Sequence, residues 1–134
     1  MTSKVTYLGE LRTEAMHIQS GQHFITDAPV DNKGKGSAFS PTDLAATSLA
    51  ACAITTMAIG ADGRDIKIES MEAEVLKVMA SSPRRIAEIQ IKITMKISPD
   101  SPENRKTMED IASHCPVARS LHPDLIQKTE FEYQ

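Results

Sequence analysis

Alternating apolar and polar positions mark the first part of the chain as β-structure. Residues 3–8 and 11–18 alternate, and residues 23–26 resume the pattern after a turn at 20–22. A period of two residues is typical of strands with one packed face. We therefore predict three short strands that form an antiparallel meander, followed by an irregular Gly- and Lys-rich surface loop over 28–40.

A second group of strands follows in the later half. Residues 65–79 alternate, and the clearest strand is 89–97, where every second residue is Ile or Met. Polar residues occupy the positions between them, so one face of this sheet is packed and the other is wet. The last strand is predicted over 126–133, after a helix over 103–114 and a short helix that begins at Pro116.

A long helix separates the two groups of strands. Ser40, Pro41 and Asp43 form a capping pattern ahead of an Ala- and Leu-rich run, and Gly60 or Gly63 is available to end it. The run is apolar on nearly every side, which predicts burial all round. One small sheet covers only one side of a helix, so we expect a second copy of the chain to cover the other, in a homodimer.

The order of elements predicts an α+β fold with antiparallel sheets and a single domain over residues 1–134. The formal charge is −3, and no basic stripe is present, which argues against nucleic-acid binding. No signal peptide is visible, and the apolar run near 44–60 contains hydroxyl residues that make a poor membrane span. We expect a cytoplasmic protein that does not bind a membrane.

The two cysteines, Cys52 and Cys115, offer the most specific chemistry. Cys115 directly precedes Pro116, at a helix N-terminus where free backbone N–H groups favour a thiolate, and His114 could add positive charge. Cys52 lies in the middle of the long apolar helix and would be inert unless a distant cation reached it. Buried, unreactive thiols are the alternative for both.

Arg12 and Arg119 are candidate cations for the Cys52 sulfur, and solvated surface charges are the alternative for each. The four histidines show no metal-ligand spacing, and neither a P-loop nor a dinucleotide motif is present. The sequence therefore predicts no metal site and no cofactor. The seven methionines fit core packing better than a hydrophobic ligand pocket.

The segment FSPTDLAATSLAAC, followed by HCPVARSL, resembles the OsmC/Ohr family of osmotically inducible and organic-hydroperoxide-resistance proteins. The predicted order of elements is similar to that family over nearly the whole chain. The resemblance implies an intertwined homodimer with a long central helix and a site at the subunit interface. It also implies that Cys52 attacks the peroxide, that Cys115 resolves the product, and that Arg12 is the family's catalytic arginine.

One position departs from the family pattern. In the peroxide-reducing branches a glutamate follows the helix-opening proline and holds the arginine, whereas this chain has Thr42 there. Asp43 or another acid is the candidate substitute. The resemblance implies reduction of hydroperoxides, preferably organic ones, with an external dithiol as reductant. The alternative is a non-catalytic protein that binds a small hydrophobic ligand at the dimer interface.

Overall fold

The computed structural model describes all of residues 1–134 and contains two three-stranded sheets together with three α-helices. These elements confirm the predicted α+β class. The chain falls into two compact units, Met1–Ala45 and Ala46–Gln134. The single domain over the whole chain stays a prediction.

The unit Met1–Ala45 contains the predicted meander. Strands β1 (Ser3–Gly9), β2 (Arg12–His17) and β3 (His23–Asp27) pair antiparallel in the order β1-β2-β3. The turn between β1 and β2 places Glu10 and Leu11 at φ 53° and 63°. Positive φ at both central residues matches the twist of a hairpin, so β2 begins at Arg12.

Helix α1 (Pro41–Asp62) begins at the predicted cap. The Ser40 hydroxyl accepts the Asp43 N–H at 3.1 Å, and Asp43 Oδ2 accepts the Ser40 N–H at 2.9 Å. This reciprocal pair satisfies two N–H groups that a helix start leaves open. Gly60 does not end the helix but lies inside it.

The unit Ala46–Gln134 contains the second sheet. Strands β4 (Lys67–Ser81) and β5 (Arg84–Ser98) form a long antiparallel hairpin, and β6 (Ile126–Tyr133) pairs with the other edge of β5. Helices α2 (Pro102–Ser113) and α3 (Pro116–Ser120) connect β5 to β6.

The β5–β6 pair is parallel, which differs from the expectation of antiparallel pairing. Parallel neighbours need a crossover connection, because the chain must return to the end of the sheet where the first strand started. Helices α2 and α3 supply this crossover. The predicted helices were thus present, but their role as a connection between parallel strands was not inferred.

The core of this unit lies between β5 and α1. The packed face of β5 is the predicted one, and each of its five apolar residues is at most 4% exposed: Ile89, Ile91, Ile93, Met95 and Ile97. Helix α1 contributes a stripe of six buried residues to the same cluster: Ala46, Leu49, Ala50, Ala53, Met57 and Ala61. Full burial of one large apolar side chain contributes about 2 kcal/mol.

The opposite side of α1 is open in a single chain, where Ala51, Thr55 and Ala58 are exposed and Ile59 retains 70% of its surface. One chain therefore buries one stripe of this helix, and burial on all sides stays a prediction that needs a second copy. Helix α1 is long and apolar enough to cross a membrane, judged by length and composition alone. Core helices of soluble proteins meet the same two criteria.

Candidate active site

Cys115 lies at the joint between α2 and α3, where it is the N-cap of α3 and fully buried. Pro116 occupies the first turn of α3, which its fixed φ favours. The Cys115 side chain makes no capping hydrogen bond, but the nearby backbone N–H groups of Ala118 and Val117 act to lower the pKa of its thiol. The predicted helix start and its N–H donors are therefore present.

The expectation that these donors leave Cys115 readily ionised is wrong. Burial raises the pKa of the Cys115 thiol, and the neighbouring Cys52 side chain raises this pKa further, while the N–H groups of Ala118 and Val117 only partly oppose the rise. His114 is exposed, and its Nδ1 donates to the Asp110 carbonyl at 2.7 Å rather than to the Cys115 sulfur. The effect of burying the Cys115 thiol on its pKa is larger than the opposing effect of the N–H groups at the start of α3.

Cys52 lies in the middle of α1, half-buried and packed against the core cluster. Thr56 follows one turn later. Its hydroxyl donates to the Cys52 carbonyl at 2.7 Å, and the same oxygen is 4.0 Å from the Cys52 sulfur. Because its proton is engaged by the carbonyl, the Thr56 oxygen faces the sulfur as an acceptor.

The two thiols lie against one another, although 52 and 115 are distant in sequence. The Cys52 side chain interacts with the Cys115 thiol, and this interaction is one cause of the raised pKa of Cys115. Both cysteines are free. The core that packs α1 against the α2–α3 joint therefore brings together the two residues that the sequence singled out. This juxtaposition allows one sulfur to react with the other after a change of oxidation state.

Arg12, the third predicted residue, lies in the unit Met1–Ala45, so its role at the cysteines stays a prediction. It is half-buried at the start of β2, and its Nη2 donates to the Ser37 hydroxyl at 3.2 Å. Its Nε is buried without a hydrogen-bond partner. Asp27 lies directly opposite Arg12 in the β2–β3 register.

Asp27 is only 1% exposed and carries an acidic side chain that the sequence analysis missed. Hydrogen bonds from the Ser37 hydroxyl at 2.6 Å and the Ser37 N–H at 3.0 Å hold the pKa of Asp27 below its usual value. Burial opposes this shift, and the charge of Arg12 adds to it. The pairing of β2 with β3 was the signal that could have placed Asp27 beside Arg12.

The other candidate groups take simpler roles. Arg119, the second candidate cation, is exposed in the last turn of α3. No three His, Cys, Asp or Glu side chains lie close enough together to hold a metal ion.

A family model described as OsmC-like protein matches residues 34–129 of the chain. The chain belongs to the OsmC-like family. The matched range contains both cysteines of the site. A comparison with curated proteins found no match for this OsmC-like protein.

Solved structures agree with the family. A Psychrobacter arcticus 273-4 protein named for osmotic stress induction and detoxification is 52% identical, covers 98% of this chain and 96% of its own, and has a TM-score of 0.92. An organic hydroperoxide resistance protein of Legionella pneumophila is 16% identical, with coverage of 98% and 97% and a TM-score of 0.74. The organic hydroperoxide resistance protein OhrB of Bacillus subtilis is 19% identical, with coverage of 98% of both chains and a TM-score of 0.66.

The two hydroperoxide-resistance proteins share the fold of this OsmC-like protein. Membership of the OsmC-like family thus rests on the family match and on the 52% identity to the Psychrobacter arcticus protein, and all three solved structures support the fold.

Proposed function

We propose that this OsmC-like protein is a thiol-dependent peroxidase that reduces hydroperoxides, preferably organic ones, with Cys52 and Cys115. The observation that carries the proposal is the proximity of the two thiols, which interact closely enough for Cys52 to raise the pKa of Cys115. The half-buried Cys52 is the thiol that a substrate can reach, whereas Cys115 is fully buried and has no contact with solvent. Buried apolar walls favour alkyl hydroperoxides over hydrogen peroxide.

The reaction has three steps. The Cys52 thiolate attacks the outer peroxide oxygen, the O–O bond breaks, and the sulfur becomes a sulfenic acid while the alkoxide leaves as an alcohol after taking a proton. Cys115 then attacks this sulfur, and a disulfide forms with loss of water. An external dithiol reduces the disulfide by exchange, becomes a disulfide itself and restores both thiols.

Arg12 supplies the cation in this proposal. A guanidinium near the Cys52 sulfur favours the thiolate and stabilises the negative charge that develops on the leaving oxygen. The Nε–H of Arg12 is buried and has no hydrogen-bond partner, so it is available to donate a hydrogen bond to such an oxygen. The reaction takes place in the cytoplasm, where a reducing environment keeps the thiols free and a dithiol is available.

The test is stoichiometric oxidation of the reduced protein by cumene hydroperoxide. We expect a Cys52–Cys115 disulfide within seconds, detected by mass spectrometry, and one equivalent of alcohol. Cumyl alcohol, which has the same shape without the peroxide bond, is the matched control and should leave both thiols free. Thiols that stay reduced in cumene hydroperoxide would contradict the proposal.

The second candidate is a non-catalytic protein that binds a small hydrophobic ligand. Thr42 favours it, because the position after the helix-opening proline carries no carboxylate. In that case the reduced protein binds cumyl alcohol in calorimetry, and cumene hydroperoxide leaves its thiols unchanged.

We further propose a homodimer in which the partner chain covers the open side of α1. The exposed Ile59, at 70% of its surface, supports this assembly because exposed apolar faces of this kind are typical of interfaces. Light scattering should give the mass of two chains. Ile59→Glu should shift the mass toward one chain, and a folded wild-type monomer would contradict the assembly.

A further inference from the structure

We propose that Asp27, acting through Ser37, is the positioning residue that fixes the Arg12 guanidinium for peroxide reduction. The inference rests on the proposed function, since it gives Arg12 a task in that reaction. It assigns a role to a buried carboxylate and a loop hydroxyl that nothing in the sequence patterns had marked. All three residues belong to the unit Met1–Ala45.

The first step is the placement of the carboxylate. Asp27 ends β3 directly opposite Arg12, the first residue of β2, so the strand register itself brings an acid and a base side by side. The Asp27 side chain is 1% exposed. A charged group so far from water needs hydrogen bonds and an opposite charge, and Ser37 and Arg12 supply them.

The second step is the direction of the Ser37 hydroxyl. Its proton goes to Asp27 Oδ2 at 2.6 Å, so its oxygen lone pairs face the Arg12 Nη2, which donates at 3.2 Å. A serine hydroxyl has one proton and can rotate. A guanidinium only donates, so Ser37 can only accept from Arg12, and the carboxylate fixes the rotation of the hydroxyl so that its lone pairs stay directed at Nη2.

The third step is the shape of the loop that carries Ser37. The Gly36 N–H donates to the Ala28 carbonyl at 3.3 Å. At Gly34 an added Cβ would fall 1.6 Å from the same carbonyl oxygen, so only glycine fits there. The Gly-rich stretch that the sequence presented as an irregular loop is thus folded back on the end of β3, which places Ser37 over Asp27.

These contacts hold Arg12 at one end of its guanidinium. Nη2 is anchored on Ser37, whereas Nε is buried and has no partner. A planar guanidinium fixed at one nitrogen presents its other N–H groups in a defined direction. Such preorganised donors stabilise developing charge better than mobile ones.

The test compares Asp27→Asn, Arg12→Ala and the double variant in single-turnover oxidation by cumene hydroperoxide. Asparagine keeps the shape of Asp27 but removes the charge. We expect Asp27→Asn to slow disulfide formation about 10-fold, since small losses of alignment are costly. In the Arg12→Ala background the same change should have no further effect. Additive losses in the double variant would show a merely structural role and overturn the inference.

Glu10→Gln is the matched control, because Glu10 is an exposed carboxylate two residues from Arg12 and should leave the rate unchanged. Ser37→Ala, at an exposed loop position, keeps the Asp27 charge and serves as the second variant if Asp27→Asn does not fold. It should also slow the reaction, and a rate equal to wild type would overturn the link through Ser37.

A readout without peroxide separates this inference from the proposed function. In the reduced protein the Arg12 Nε–H NMR signal should exchange slowly with water, and it should exchange at least about 10-fold faster in Asp27→Asn and Ser37→Ala but not in Glu10→Gln. Unchanged exchange in both variants would overturn the positioning role even if the protein is a peroxidase. Conversely, if the wild-type thiols do not react with hydroperoxide, the proposed function fails. The exchange rate of the Arg12 Nε–H with water then still decides whether Asp27 fixes Arg12.

Discussion

Cys52 and Cys115 lie close together in the same core, yet they differ in burial and in position along their helices. Cys115 has what a reactive cysteine is expected to have, a helix start with N–H donors, but it is fully buried and its pKa is raised. Cys52 lies mid-helix without such donors, but it is only half-buried and lies beside Cys115.

This difference shows that burial can outweigh local position. The cost of removing a thiolate from water exceeds the stabilisation that Val117 and Ala118 N–H groups provide. Cys115 therefore keeps its proton more firmly than an exposed thiol does. In the proposed reaction a protonated Cys115 is useful, because it acts as a nucleophile only after Cys52 has been oxidised.

The largest expected effect comes from removing either sulfur. Cys52→Ser should abolish reaction with cumene hydroperoxide, because the accessible sulfur is gone. Cys115→Ser should still react once and accumulate a sulfenic acid at Cys52, which dimedone traps for mass spectrometry. A dimedone adduct at Cys115 in the Cys52→Ser variant would reverse the assignment of roles.

A second effect concerns alkylation of the reduced wild-type protein at pH 7. Cys52 should react with iodoacetamide at least about 10-fold faster than Cys115, because thiolate character and exposure set the rate. Peptide mass spectrometry over time measures both sites in one sample. In urea the two rates should converge, and equal rates in the folded protein would remove the contrast between the two sulfurs.

A third effect is a loss of stability at alkaline pH. The pKa of Cys115 is raised above its usual 9.0 in the folded state, so the unfolded chain releases this proton first as the pH rises. The free energy of unfolding should therefore fall as the pH rises above 9. Urea unfolding should show a smaller fall between pH 8 and 10.5 in Cys115→Ala than in wild type. Parallel pH profiles would contradict the raised pKa.

The smallest effect is expected at Thr56. The Thr56 hydroxyl donates its hydrogen bond to the Cys52 carbonyl and therefore does not donate to the sulfur. Thr56→Val should change the rate of disulfide formation by no more than about 2-fold. Thr55→Val, on the exposed side of α1, is the matched control. A loss of about 100-fold in Thr56→Val alone would mean that this hydroxyl turns toward Cys52 during the reaction.

Local patterns predicted the features that depend on local rules. The Ser40–Asp43 cap and the packed face of β5 formed as expected, because capping and alternation act over a few residues. The parallel pairing of β6 was not predicted, since it depends on how α2 and α3 return the chain.

The site was predicted in its residues but not in its electrostatics. The cysteine motifs named Cys52 and Cys115, whereas the raised pKa of Cys115 depends on a core assembled from distant segments. Asp27 and Ser37 were missed for a similar reason. An aspartate at a strand end and a serine in a Gly-rich loop are common. The pairing of β2 with β3 places Asp27 beside Arg12, and the folded loop places Ser37 there.

Gly60 is a point of close contact between α1 and α2. A Cβ at this position would lie 2.5 Å from Ile111 Cδ1, the end of a flexible side chain, and at ordinary contact distance from Cγ1 and Cγ2 of the same residue. Because the Ile111 side chain can change rotamer, a methyl group added at Gly60, two turns further along α1 from Cys52, displaces that side chain and leaves the joint that carries Cys115 in place.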